Sequence, residues 1–175
     1  MPYTFLVGGA RSGKSSSAQR LAHRSGSPVV VVAPAEAGDD EMAERIDRHR
    51  RERPDGWITV EEPIDIETAV LNVEPALFVL FDCVTMWITN LVMTGASDDD
   101  VLSLSGRLAA TLAKRTGGGA VVSNEVGLGI VPDHPLGRRF RDLAGRVNVL
   151  FADGAEESHL VVAGRGLLLG GVIGA

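Results

Sequence analysis

Hydrophobic residues in this 175-residue chain gather in short, nearly continuous runs, with longer segments of mixed polarity between them. Five runs read as strands: "YTFLVG" (3–8), "PVVVVA" (28–33), "ALFVLFD" (76–82), "AVVSN" (120–124) and "SHLVVAG" (158–164). They are continuous rather than alternating, as strands covered on both faces must be. Helical patterning falls at 14–25, 39–52, 64–71, 84–94, 98–116 and 136–154. Strands alternating with helices predict an α/β fold with a mostly parallel sheet flanked by helices. No internal repeat or long linker divides the chain, so residues 1–175 are expected to form one domain. The Gly-rich end "GRGLLLGGVIGA" leaves a last strand followed by a tail open.

Composition narrows the class. With 45% hydrophobic and 23% charged residues the chain belongs with globular proteins. A net charge of −6 supplies no global basic field, so neither nucleic acid nor an anionic membrane is an expected partner. Local basic stretches such as 45–53 can still hold phosphates. The most apolar window, "ALFVLFDCVTMWITNLVM", is interrupted by Asp82 and Asn90, which suits a buried strand followed by a helix rather than a membrane span. Cys83 is the single cysteine, and no basic leader precedes the first strand, so a cytoplasmic location is expected.

The sharpest motif is "GGARSGKS", residues 8–15, which satisfies G-x-x-x-x-G-K-[ST] between a strand and a helix. Gly8 and Gly13 permit the turn, and Gly9, Ala10, Arg11 and Ser12 complete the loop. The amides of 11–15 and the helix N-terminus then suit a phosphate. Lys14 is the expected catalytic cation for the β- and γ-phosphates, and Ser15 an expected Mg²⁺ ligand. "LFVLFD" places Asp82 at the end of a buried strand, the position of a second metal-serving carboxylate; an Asp there also suits a helix N-cap. No His or Cys pair has zinc-ligand spacing.

Four stretches together are more specific than the loop alone: "GGARSGKS", "DDEMAERIDRHRRERPDGW", "NEVGLGIVP" and "RRFRDLAGRVN". In this order, from residue 5 to about 166, the chain resembles the bifunctional adenosylcobinamide kinase / adenosylcobinamide-phosphate guanylyltransferases of cobalamin biosynthesis. The resemblance implies a RecA-like P-loop NTPase fold and two reactions. A nucleoside triphosphate, ATP or GTP, first phosphorylates the hydroxyl of the corrinoid's aminopropanol arm. GTP then delivers GMP to that phosphate through a guanylylated histidine, giving adenosylcobinamide-GDP. Mg²⁺ accompanies the nucleotides, and no bound organic cofactor is expected. The resemblance also implies a homo-oligomer, expected to be a trimer, and the apolar segment 84–94 is a candidate for a contact.

Aligned on the acidic helix motif, the guanylylated histidine falls on His49. The chemistry permits this, because a neutral imidazole nitrogen attacks phosphorus and a surrounding arginine cluster favours the neutral ring. Without the resemblance, His49 reads as a solvated residue on a charged helix. The resemblance places nucleotide contacts at 8–15, at Ala33, Pro34 and Ala35, at Arg50, Arg51, Glu52 and Arg53, and at Glu61 and Asp82. Glu61 or Asp82 can accept from guanine N1–H and N2–H₂, and Asp82 can equally serve Mg²⁺. Asn124 and Glu125, at the end of the fourth apolar run, are candidates for substrate contact or a general base. The chain departs from the family pattern at Arg48, where a His-His pair is common, at Asp82, where Glu is common, and at "APA", which lacks hydroxyls.

Two other readings remain at this level. One is a small-molecule kinase with γ-phosphate transfer alone; the other is a nucleotide-binding regulatory protein. Arg138, Arg139 and Arg141 suit either a substrate phosphate or a solvated helix face. His23 suits a helix C-terminus, His134 a surface loop and His159 a strand.

Overall fold

The computed structural model describes residues 3–34 and 54–171. Strand β1 (Tyr3–Gly8) leads through the Gly-rich loop to helix α1 (Lys14–Arg24) and strand β2 (Val29–Ala33). The description resumes before β3 (Ile58–Glu61), followed by α2 (Ile66–Leu71), β4 (Phe78–Asp82) and α3 (Val84–Met93). Then come α4 (Asp98–Ala113), β5 (Gly119–Asn124), α5 (Pro135–Gly154), β6 (Glu157–Val162) and β7 (Arg165–Leu168).

These strands form one seven-stranded sheet in the order β3-β2-β4-β5-β1-β6-β7. Every pairing is parallel except β6 with β7. The expected α/β architecture is therefore present, with β5 between the P-loop strand β1 and the Asp82 strand β4, the RecA-like order. Two strands went beyond the hydrophobic pattern. β3, "ITVE", is short, lies at the sheet edge and is mostly exposed, so it lacks the apolar run that marks β2 or β4. β7 is antiparallel and exposed throughout, and resolves the open end as a hairpin.

The apolar runs are continuous because alternate residues feed two different cores. Leu6, Val29, Val31, Leu80, Ala120 and Val122 pack with Ala18 and Ala22 of α1 on one face. Phe5, Val7, Val30, Val32, Val79, Phe81 and Val121 pack with α2–α5 on the other. Phe151 anchors the larger core, stacked on Phe5 at 6.2 Å and edge-on to Tyr3 at 6.5 Å. Truncating such a ring to alanine costs about 3–5 kcal/mol.

Local signals set the helix ends. Ser97 and Asp100 form a reciprocal capping box at the start of α4. Pro135 opens α5, and His134 caps it by accepting from Gly137 N–H through Nδ1 at 3.1 Å. Beyond α4, Arg115 is buried and donates to the carbonyls of Val70, Val73, Glu74 and Leu77. It satisfies carbonyls at the C-terminus of α2 and in the turn into β4, at the sheet edge away from the P-loop. Burial lowers the Arg115 pKa. Among the described residues no helix is long and apolar enough to cross a membrane.

Candidate functional site

The turn after β1 is shaped by two left-handed residues, Arg11 (φ 56°) and Gly13 (φ 94°). A side chain is tolerated poorly at Gly13, which also acts as the N-cap of α1 without any side-chain cap. Because α1 begins at Lys14, the amides of 14, 15 and 16 are ones that helix geometry leaves without intrahelical partners. Lys14 is 94% buried, and its Nζ donates to Gly9 O at 3.0 Å, which holds the ammonium against the loop. Ser12 N–H is engaged within the loop, donating to Gly9 O at 3.2 Å, so it is not among the amides open to a ligand.

The sheet registers bring the other candidates to the same edge. Asn124 pairs in register with Gly8, and Glu125 N–H donates to Gly8 O at 3.0 Å. Asp82 is in register with Val122, two residues short of Asn124, and Ala33 is in register with Glu61. All lie at C-terminal ends of parallel strands, where α/β sheets bind ligands. With about 4.8 Å between neighbouring strands, Asp82 sits two spacings from β1, on the order of 10 Å. Glu61 sits four spacings away, roughly 19 Å. Asp82 thus stands near the P-loop along this edge, and Glu61 stands toward its far end.

A polar cluster joins β4 to β5 at this edge. Asn124 Nδ2 donates to Thr85 Oγ1 at 2.7 Å and approaches Cys83 Sγ at 3.6 Å, and Cys83 Sγ lies 2.9 Å from Thr85 Oγ1. Burial pushes the Cys83 thiol pKa up, and the neighbouring Asp82 carboxylate adds to the shift. Behind Asn124, Ser123 Oγ donates to Asn148 Oδ1 at 2.6 Å, and Asn148 Nδ2 donates to Asn124 O at 3.2 Å. Asn124 is therefore fixed from both sides. Glu125 turns onto its own loop, accepting from Gly127 N–H at 2.5 Å through Oε1.

One residue at this edge had only a faint sequence signal. Asn90, inside the apolar helix α3, donates to Pro34 O at 2.8 Å and Pro63 O at 3.0 Å. Trp87 Nε1 adds a bond to Ile64 O at 2.8 Å. Together they tie the segments that follow Ala33 and Glu61 at the ends of β2 and β3 to one helix. An Asn in "WITNLV" interrupts an apolar run, and that interruption was its only trace.

The arginines of "GRRFRD" bond to their own chain. Arg138 donates to Pro132 O and Asp133 O, Arg139 pairs with Asp98 at 2.7 Å and donates to Ala96 O, and Arg141 donates to Gly127 O. His159 pairs with Glu157, and His23 lies in the last turn of α1. Ala35, His49, Arg50, Arg51, Glu52 and Arg53 lie outside the described residues. Among the described residues no cluster of three His, Cys, Asp or Glu side chains could hold a metal. Mg²⁺ needs no such cluster, since it takes one or two protein oxygens with phosphates and water. Ser15 Oγ has no hydrogen bond among the described residues, and with the Asp82 carboxylate it offers hard oxygen donors of that kind.

Residues 4–169 match the family model described as cobinamide kinase / cobinamide phosphate guanyltransferase. The chain is 42% identical to the bifunctional adenosylcobalamin biosynthesis protein CobP of Pseudomonas aeruginosa, an alignment covering 91% of this chain and 92% of that protein. It is 39% identical to the bifunctional adenosylcobalamin biosynthesis protein CobU of Escherichia coli and 37% identical to that of Salmonella typhimurium. Each of those two alignments covers 93% of this chain and 96% of the relative.

Proposed function

This chain belongs to the cobinamide kinase / cobinamide phosphate guanyltransferase family, and from that premise we propose the two-step chemistry and the residues that perform it. The protein phosphorylates adenosylcobinamide and then guanylylates the product, as a single domain over residues 1–175. The observation that carries the residue assignment is the alignment of Gly8, Asn124, Asp82, Ala33 and Glu61 along one sheet edge.

In the kinase step the corrinoid hydroxyl oxygen attacks the γ-phosphorus, and the bond to the β,γ-bridging oxygen breaks. Lys14 and the amides at the start of α1 take up the charge shed onto the leaving nucleoside diphosphate. The Glu125 carboxylate, at the strand end beside Gly8, receives the hydroxyl proton through Oε2. Ser15 and Asp82 would hold Mg²⁺, which neutralises phosphate charge when bound. Strand spacing supports Asp82 for this role and Glu61 for the guanine N1–H and N2–H₂.

In the transfer step an imidazole nitrogen of His49 attacks the α-phosphorus of GTP and pyrophosphate leaves. A phosphate oxygen of the corrinoid then attacks the same phosphorus, the N–P bond breaks, and adenosylcobinamide-GDP forms. Arg50, Arg51, Glu52 and Arg53, with Ala33, Pro34 and Ala35, contact the nucleotide; the guanidinium groups match phosphate geometry. Support for His49 is the family motif "DDEMAERIDRH" within a chain whose residues 4–169 match the family model.

The enzyme is cytoplasmic, where nucleoside triphosphates are available and a lone cysteine stays reduced. It assembles as a homo-oligomer, a trimer. Within 84–94, Trp87, Ile88 and Leu91 are buried in the core and Met93 stays 74% exposed, so the end of α3 is what this segment offers to a contact. Sedimentation showing only an 18.5 kDa species at micromolar concentration would remove the assembly claim. The activity is tested by label position. α-Labelled GTP should mark the protein and then the corrinoid product, and γ-label should appear on the corrinoid first. γ-Transfer alone would leave a simple kinase, and neither would leave a binding protein.

A further inference from the structure

We propose that the hairpin turn between β6 and β7 is a brace that sets the orientation of the Ser12–Gly13 peptide, making Gly164 a positioning residue for nucleotide phosphate. The proposal rests on the P-loop reading above. β6 and β7 are joined by only Ala163 and Gly164, both left-handed at φ 50° and 74°, with Val162 and Arg165 paired across the turn. Two successive left-handed residues characterise the tight turn that matches strand twist. Ala163 holds this conformation without glycine's freedom, so the surroundings must enforce it.

The surroundings in question are the P-loop. Gly164 N–H donates to Ser12 O at 2.7 Å, across 152 positions of chain. The approach is close on both sides of that bond. A Cβ on Gly13 would stand 3.0 Å from Gly164 Cα, and a Cβ on Gly8 would stand 2.3 Å from Val161 O. The glycines at the two ends of the motif thus leave room for β6 and its turn as well as for a ligand.

The consequence follows from peptide geometry. In a planar trans peptide the C=O and the next N–H point in opposite directions. Anchoring Ser12 O onto Gly164 therefore turns Gly13 N–H away from the hairpin. That N–H has no acceptor among the described residues, and it adjoins the first turn of α1. Without the brace the peptide is free to rotate, and the loop loses a donor aligned before the nucleotide arrives.

A variant pair at 164 isolates the backbone effect, because a Cβ there meets no atom within 4 Å. Asn accepts the left-handed conformation and a β-branched residue resists it. Calorimetry with GTP and Mg²⁺ should show affinity reduced about tenfold in Gly164→Val and within about twofold of the parent in Gly164→Asn. KM for the corrinoid should stay unchanged in both. If Gly164→Val does not fold, glycolic acid at 164 replaces only the N–H by an ester oxygen and should give the same loss. A folded Gly164→Val or ester protein with parental GTP affinity overturns the brace alone. Equal losses in the Val and Asn variants overturn it as well, because the side chain rather than the turn would be responsible. Parent protein that binds no GTP overturns the P-loop reading and the brace together.

Discussion

Asn124 donates through Nδ2 to Thr85 Oγ1 at 2.7 Å, which ties the end of β5 to the first turn of the helix that follows Asp82. Two strand ends that flank the proposed metal and hydroxyl positions thereby move as one unit. Thr85→Val keeps the shape and removes the oxygen acceptor, leaving the half-buried amide donor with only the weak Cys83 Sγ contact at 3.6 Å. The expected cost is about 1–3 kcal/mol. Steady-state kinetics should show kcat for phosphorylation down about tenfold with KM for the nucleotide little changed. A wild-type kcat in a folded variant would mean that the pair is structural only.

Lys14→Ala should abolish both reactions, since the same cation serves the β- and γ-phosphates in each. Purified, folded Lys14→Ala retaining parental rates in both assays would remove the P-loop from the mechanism.

His49→Asn should separate the two reactions. Label from α-labelled GTP should no longer stay with the protein, and the GDP-linked product should disappear. Phosphoryl transfer to the hydroxyl should persist, reduced at most about tenfold, because it requires no histidine adduct. The adduct on the parent should be labile to acid and stable to base, as a phosphoramidate is. A His49→Asn protein that still becomes labelled would exclude His49 as the nucleophile.

Arg115→Ala should destabilise the protein without changing the activity of each folded molecule. The substitution strands four carbonyl acceptors at the sheet edge away from the site. The expected loss is about 3 kcal/mol, which for a chain of this size lowers Tm by roughly 6–12 °C. Calorimetric melting and specific activity measure the two halves separately.

Cys83 supplies a pH prediction. Its folded-state pKa is raised, chiefly by burial and then by Asp82. A raised pKa contributes stability that is complete below the unfolded-state value of about 8.5 and is lost as pH rises through the folded-state value. Native protein should therefore react with iodoacetamide at pH 8 more slowly than denatured protein does. Cys83→Ala should flatten the alkaline side of the stability profile. Equal alkylation rates in the native and denatured states would show that the thiol is not shielded.

The sequence by itself determined the elements whose burial is written into composition. β1, β2, β4 and β5 are runs that both cores cover, so their apolar continuity was legible residue by residue. The P-loop was legible because the glycines, Lys14 and Ser15 are fixed by local backbone geometry and phosphate charge. His49 was legible only through family resemblance, since a histidine among arginines carries no chemistry of its own. Tertiary structure alone decided which strand neighbours which, and hence that Asp82 stands two spacings from the P-loop and Glu61 four. It also decided that Asn90 gathers Pro34 and Pro63, that Arg138, Arg139 and Arg141 bond to their own chain, and that Gly164 closes on Ser12. These contacts join residues far apart in the chain through backbone carbonyls, which every residue carries alike. No pattern of side chains can announce an acceptor of that kind before the chain has folded.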